Sequence, residues 1–218
     1  MSYAIADLLA RPDPSTIVRS IDRHRSDDRT VRPLSSPPPG ATGQVLTGFG
    51  GIGKSRLATE LAAKTRDRVR VLSARCVPYG DGITFLPLRD LVRSAGGHDA
   101  VRASVSGELD GDLVADRLAD TSASAEETMW AVRRLLETLA RKQPLLVWLE
   151  DVHWAAPTFL DLLEYVAAWS QDAPVMLLCL SRPDLLDVRP RWPGASRVLE
   201  PLDAVEAEAL LDALDAEW

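Results

Sequence analysis

Short, nearly unbroken apolar runs alternate along this chain with segments whose apolar residues recur every three or four positions. The first pattern is that of strands buried on both faces, the second that of helices with one buried stripe. Gln44 to Thr47 is a short strand candidate, and a glycine-rich turn follows it. Lys54 to Thr65 then has helical spacing through Leu57, Ala58, Leu61 and Ala62. Val69 to Cys76 reads as the second strand, and Phe85 to Ala95 and Asp112 to Ala119 as two short helices with loops between them. Ser124 and Glu127 have the spacing of a capping box, ahead of a helix whose buried face is Met129, Val132, Leu136 and Leu139. Pro144 to Leu149 is the most apolar run and suits a central parallel strand. Pro157 is placed for the first turn of a helix that ends near Ser170. Pro174 to Leu180 is another buried strand, Arg197 to Leu199 a fifth, and Asp203 to Leu214 a closing amphipathic helix. Such alternation predicts an α/β domain with a doubly wound parallel sheet.

The N-terminal segment has a different texture. Residues 1 to 32 hold six arginines and five aspartates with few large apolar residues. A short helix over Ser2 to Ala10 would be stopped by Pro12 and Pro14. Leu34 to Gly43 carries Pro37, Pro38 and Pro39 and reads as a stiff, extended linker. The folded domain is therefore expected to begin near residue 43, with residues 1–42 as an arm and 43–218 as the core. At 218 residues, 46% hydrophobic and 26% charged, the composition is that of a globular protein. Its apolar runs fall short of the ~20 residues that cross a bilayer, and Asp7 with no basic start argues against a secretory signal. The net charge of −7 argues against direct nucleic-acid binding by this chain. Cys76 and Cys179 sit in or beside apolar runs and read as buried thiols of a reducing compartment. The expectation is a cytoplasmic protein with no membrane contact.

Chemistry enters at the glycine-rich turn. Gly48-Phe49-Gly50-Gly51-Ile52-Gly53-Lys54-Ser55 fits the phosphate-binding pattern G-x-x-x-x-G-K-[ST], with a strand before it and a helix after. Glycines let successive backbone N–H groups converge on phosphate oxygens, and the helix that follows points its positive end at the same anion. Lys54 supplies a mobile charge to the β- and γ-phosphates, and the Ser55 hydroxyl can complete a Mg²⁺ shell made mostly of phosphate and water. Arg56 is counted with the nucleotide-binding stretch.

Glu150 and Asp151 follow the most apolar run directly. The carboxyl end of a parallel strand is where such sheets place their ligands. In a phosphate-loop protein one acid there holds Mg²⁺ through water and the other polarises the attacking water. The reading adopted puts Glu150 on the metal and Asp151 on the water, with the exchanged assignment open. Arg182 follows the next buried strand after Ser181, where a cation can read the γ-phosphate and stabilise developing charge. His153 and Trp154 are placed to pack over the site.

Four blocks occur in order: GFGGIGKSRLA (Gly48 to Ala58), CVPYGDGITFLPLRDL (Cys76 to Leu91), LVWLEDVHWAAPTFLDLL (Leu146 to Leu163) and VMLLCLSRPDL (Val175 to Leu185). Together they resemble the AAA-type ATPase domain of the STAND class of signalling P-loop proteins. That domain occurs in large LuxR-type bacterial regulators and beside adenylate or guanylate cyclase domains. The resemblance covers roughly residues 43 to 214. It implies a P-loop NTPase fold with a five-stranded parallel sheet in the order 5-1-4-3-2, sandwiched by helices, with a helical insertion between the second and third strands. It further implies ATP and Mg²⁺ as ligands, Glu150 and Asp151 as the Walker B acids, and Arg182 as a sensor arginine. Proteins of this class couple nucleotide state to a switch between closed and assembled forms, with slow hydrolysis of ATP to ADP and phosphate as the reset. A protein partner or self-association is implied with it.

Departures from the family pattern set further expectations. No Gly-Arg-Glu block is found in residues 1–42, and the first strand reads about two residues short. Ala156 stands where the family often has Asp, which removes a helix cap worth ~1 kcal/mol. A helical lid begins at best with Pro201 to Trp218, and no helix-turn-helix, cyclase or repeat region is recognised. Two other readings accompany the ATPase: a module that binds nucleotide without turnover, and a truncated interaction partner of a longer homologue. A GTPase would need an Asn-Lys-x-Asp block, which the sequence lacks.

Overall fold

The computed structural model describes residues 42–78, 85–170 and 172–201. The expected helices at Ser2 to Ala10 and Asp203 to Leu214, and the linker up to Ala41, lie outside the described residues. Five strands form one all-parallel sheet: β1 (Thr42–Thr47), β2 (Arg70–Arg75), β3 (Leu145–Glu150), β4 (Val175–Ser181) and β5 (Ala195–Val198). Their spatial order is β2-β3-β4-β1-β5, which is the order 5-1-4-3-2 read from the other edge. The helices are α1 (Lys54–Thr65), α2 (Leu86–Ser94), α3 (Gly97–Val105), α4 (Gly111–Ala119), α5 (Ala125–Lys142), α6 (Pro157–Trp169) and the single turn α7 (Leu185–Val188). Helices α2 to α5 form the insertion between β2 and β3.

Strand periodicity divides the core. Leu145, Val147 and Leu149 of β3 pack with Leu72, Ala74, Val45, Leu177 and Cys179 in a large cluster that includes the buried stripes of α2 to α6. Leu146 of β3 faces the other way, with Leu178, Leu180 and, from α1, Ala58 and Leu61. Both faces of the sheet are thus covered, which is why the strands read as continuous apolar runs. Val147 and Leu149 are fully buried, and each contributes about 1.5–3 kcal/mol relative to exposure.

Local signals explain most helix bounds. Ser124 Oγ accepts from the Glu127 amide at 3.2 Å, and Glu127 Oε2 accepts from the Ser124 amide at 3.0 Å, closing the capping box. In α5 Val132, Leu136 and Leu139 are buried as expected, whereas Met129 is only half-buried, and Ala131, Leu135 and Ala140 widen the face. Pro157 opens α6 and its N-cap, Ala156, makes no side-chain cap.

Two expectations are corrected. The segment between α2 and α4 is not loop throughout, because Gly97–Val105 is helical. Its opening glycines conceal it in the sequence; burial of Val101 and Val105 against the neighbouring helices overrides their low helix propensity. The first strand is not short. Thr42 and Gly43 extend β1 in register with Met176 and Leu177. A glycine at 43 weakens the strand signal, yet the Pro193 carbonyl lies where a Cβ would sit, so only glycine fits the approach. Among the described residues no helix is long and apolar enough to cross a membrane.

Candidate functional site

The carboxyl ends of β1, β3 and β4 converge, and the sequence-predicted residues lie on the segments that leave them. From the end of β1 the chain turns through Gly48 to Gly53 into α1. Gly51 and Gly53 hold φ of 80° and 100°, a left-handed conformation that residues with a Cβ adopt at a cost. Gly48 is buried against the Leu199 carbonyl, itself held in place because its amide donates to Thr47 O at 2.7 Å. Ile52 is half-buried beneath the turn, while Phe49, Ser55 and Arg56 are exposed. Lys54 folds back over the loop, and its Nζ donates to Gly48 O at 2.7 Å and Phe49 O at 2.8 Å.

Lys54 reports on its surroundings. Burial holds its pKa below the ordinary lysine value, the Asp151 carboxylate opposes that shift, and the Arg182 guanidinium adds to it. The loop lysine therefore shares one electrostatic field with residues that follow two different strands. Like-charged Lys54 and Arg182 brought within range of each other form a setting that favours an anion.

Glu150 ends β3, and Asp151 follows it in the left-handed region with φ 55° and ψ 40°, the one non-glycine residue with positive φ among those described. That turn leads into a 3-10 turn, Val152–Trp154, with Val152 fully buried. Sequence reasoning missed Arg75. In the β2–β3 register it lies opposite Glu150, to which its Nη2 pairs at 2.5 Å, while its Nε lies 3.4 Å from Asp151 Oδ2. A strand-terminal arginine was visible in the sequence, but its register partner was not.

Arg182 follows Ser181, the buried end of β4, which is in register with Thr47. Among the described residues the Ser181 hydroxyl finds no partner. The Arg182 guanidinium lies over the Trp154 ring, with Cζ 5.9 Å from the centroid. His153 packs against the same ring at 5.0 Å, and both its ring nitrogens are buried without a partner among the described residues. Burial lowers the His153 pKa, Asp184 opposes this and Arg182 reinforces it. A neutral imidazole here suits a positioning role better than that of an already charged acid. Beside this site, between β2, β3 and α2, a cavity of about 530 Å³ is lined by Ser73, Arg75, Asp90, Arg93, Trp148 and Glu150. None of the phosphate-loop residues lines it.

The donor set suits Mg²⁺. Ser55 and Glu150 carry hard oxygen donors of the type that ion takes, and would leave the rest of its shell to phosphate and water. Among the described residues no group of three or more His, Cys, Asp or Glu side chains is placed to hold a metal by itself.

Among solved structures, the chain is similar to Cdc6p from Pyrobaculum aerophilum at 15% identity and a TM-score of 0.49, covering 82% of this chain and 45% of that one. It is likewise similar to Drosophila ORC bound to DNA, at 16% identity and a TM-score of 0.49 over 80% of this chain and 41% of the other. An uncharacterized protein of Rhizobium meliloti (strain 1021) is 32% identical over 203 residues. The match takes in 80% of this chain but only 19% of that relative's length. The AAA ATPase domain family matches residues 29–178, a span that contains the phosphate loop, Glu150 and Asp151 and stops short of Arg182. With more than half of the sequence matched and the five-stranded parallel sheet in place, this chain belongs to the AAA ATPase domain family of nucleotide-binding P-loop NTPases.

Proposed function

We propose that this chain is the ATP-binding core of a STAND-type signalling ATPase, a module of a larger LuxR-type regulator, that binds MgATP and hydrolyses it slowly. The arm and core expected at residues 1–42 and 43–218 meet one residue earlier, because Thr42 already belongs to β1. The observation that carries the reading is the shared field of Lys54, Asp151 and Arg182 at one end of the sheet. In this reading Gly48 to Arg56 wrap the phosphates, the Lys54 ammonium moves from its loop carbonyls onto the β- and γ-oxygens, and Ser55 with Glu150 orients the metal's water shell. Bound Mg²⁺ supplies charge neutralisation at the phosphate oxygens. Asp151 takes the proton of the attacking water, and Arg182 stabilises charge on the transferring group. The 19% coverage of the Rhizobium meliloti relative fits a module within a much longer architecture, in which nucleotide state governs a protein partner or self-association.

A second reading, binding without turnover, is favoured by the Arg75 contacts to both acids, which hold those carboxylates on an internal cation. One paired experiment separates the two. MgATP is titrated calorimetrically into the full chain, and phosphate release is followed in the same sample. Release at a slow, stoichiometric rate supports the ATPase; binding without release supports the second reading. Lys54→Ala is expected to lose MgATP binding while keeping the far-UV spectrum, and tight binding by that variant would overturn the phosphate-loop assignment.

A further inference from the structure

We infer that Trp154 is a positioning residue for Arg182, a platform whose ring face holds the guanidinium at the phosphate loop. This rests on the reading of Arg182 as a γ-phosphate contact and adds the residue that makes it possible. Arg182 lies close enough to Lys54 to disfavour its charge, and His153 feels both cations. An arginine side chain has many rotamers, and repulsion from Lys54 would drive Arg182 towards solvent.

Among the described residues the Arg182 guanidinium makes no hydrogen bond or ion pair; the Trp154 ring is what it lies against, within the range of a cation–π contact. Trp154 is in turn fixed by the local chain. The left-handed Asp151 turns the backbone out of β3, the Trp154 amide donates to Asp151 O at 2.9 Å, and Val152 anchors the turn in the core. His153 packs against the ring. These contacts leave Trp154 45% exposed, with the guanidinium of Arg182 over its ring. Asp151 and Arg182 thereby become linked through one short turn: the same left-handed residue that aims a carboxylate at the site also aims the platform beneath the arginine.

The test measures MgATP and MgADP affinities by calorimetry for the full chain and for Trp154→Leu, Trp154→Phe, Arg182→Ala and the Trp154→Leu/Arg182→Ala double variant. Loss of a partly exposed cation–π contact is expected to weaken MgATP binding by about two- to fivefold, leaving MgADP nearly unchanged. Trp154→Phe keeps an aromatic face and should recover most of the loss. In the Arg182→Ala background Trp154→Leu should have no further effect, because the two residues act as one unit. An equal loss for both nucleotides, an unchanged Trp154→Leu variant, or full additivity with Arg182→Ala would overturn the platform while leaving the reading of Arg182 in place. An Arg182→Ala variant that keeps the wild-type ATP-to-ADP preference would overturn that reading, and this inference with it.

Discussion

Asp151 joins a strained backbone to the proposed chemistry, and three substitutions separate the two. At φ 55° and ψ 40° an L-residue brings Cβ against the following carbonyl, at about 1–2 kcal/mol, a cost that Asp and Asn reduce by local hydrogen bonding. Asp151→Asn keeps the size and turn preference and removes the charge. Its lost contact with Arg75, at 3.4 Å and with both side chains largely solvated, belongs to a class worth about 0–1 kcal/mol. Asp151→Ala exposes the backbone cost, so it should be about 1 kcal/mol less stable than the Asn variant, or roughly 2–4 °C in Tm for a domain of this size. Asp151→Gly relieves the strain and should melt near the Asn variant. All three should lose about 10²- to 10⁴-fold in phosphate release if Asp151 accepts the water's proton. Thermal melts without nucleotide and single-turnover phosphate release with MgATP read the two effects independently. Equal melting of the Ala and Asn variants would refute the strain argument. Wild-type release by Asp151→Asn would refute the assignment of the carboxylate.

Two further outcomes follow from buried ionisable groups. In the free protein burial depresses the Lys54 pKa, and a phosphate beside it favours the charged form and raises that pKa. Between the two values binding takes up a proton, so affinity should fall as pH rises through that window; calorimetry over a series of pH values below the ordinary lysine value, in buffers of different ionisation enthalpy, should detect uptake, and its absence would show that Lys54 does not meet phosphate. Burial, with Asp151 adding to it, pushes the Cys76 thiol up to about 12, and burial raises Cys179 also. Both should resist a thiol reagent at pH 8 until the chain is denatured, whereas rapid labelling of the native protein would contradict their burial.

Much of the fold is legible because its signals are local. The spacing of Leu57, Ala58 and Leu61 places α1 at Lys54–Thr65, and Ser124 with Glu127 marks the start of α5 before any neighbour is known. Helix α3 is not legible in this way. Gly96 and Gly97 open it in left-handed conformations, and only two apolar residues mark its buried side. Its stability comes from the surfaces that cover Val101 and Val105, and those surfaces are contributed by helices on both sides of it in the chain. Thr42 and Gly43 fail to read as strand for a similar reason: β4 supplies their register and the Pro193 carbonyl their need for glycine.

The site divides along the same line. The contiguous run from Gly48 to Ser55, set between a strand and a helix, is enough to propose a phosphate cradle, since loop, lysine and helix end all come from neighbouring residues. Glu150, Asp151 and Arg182 are recognisable as strand-end charges because parallel strands present their carboxyl ends on one edge. Which of them meet is a matter of tertiary structure. Arg75 reaches Glu150 because β2 pairs with β3 residue for residue, and Arg182 reaches Trp154 because β4 pairs with β3 while Asp151 turns left-handed. Such contacts join residues far apart in sequence through register and backbone handedness, and neither is fixed until the sheet has formed.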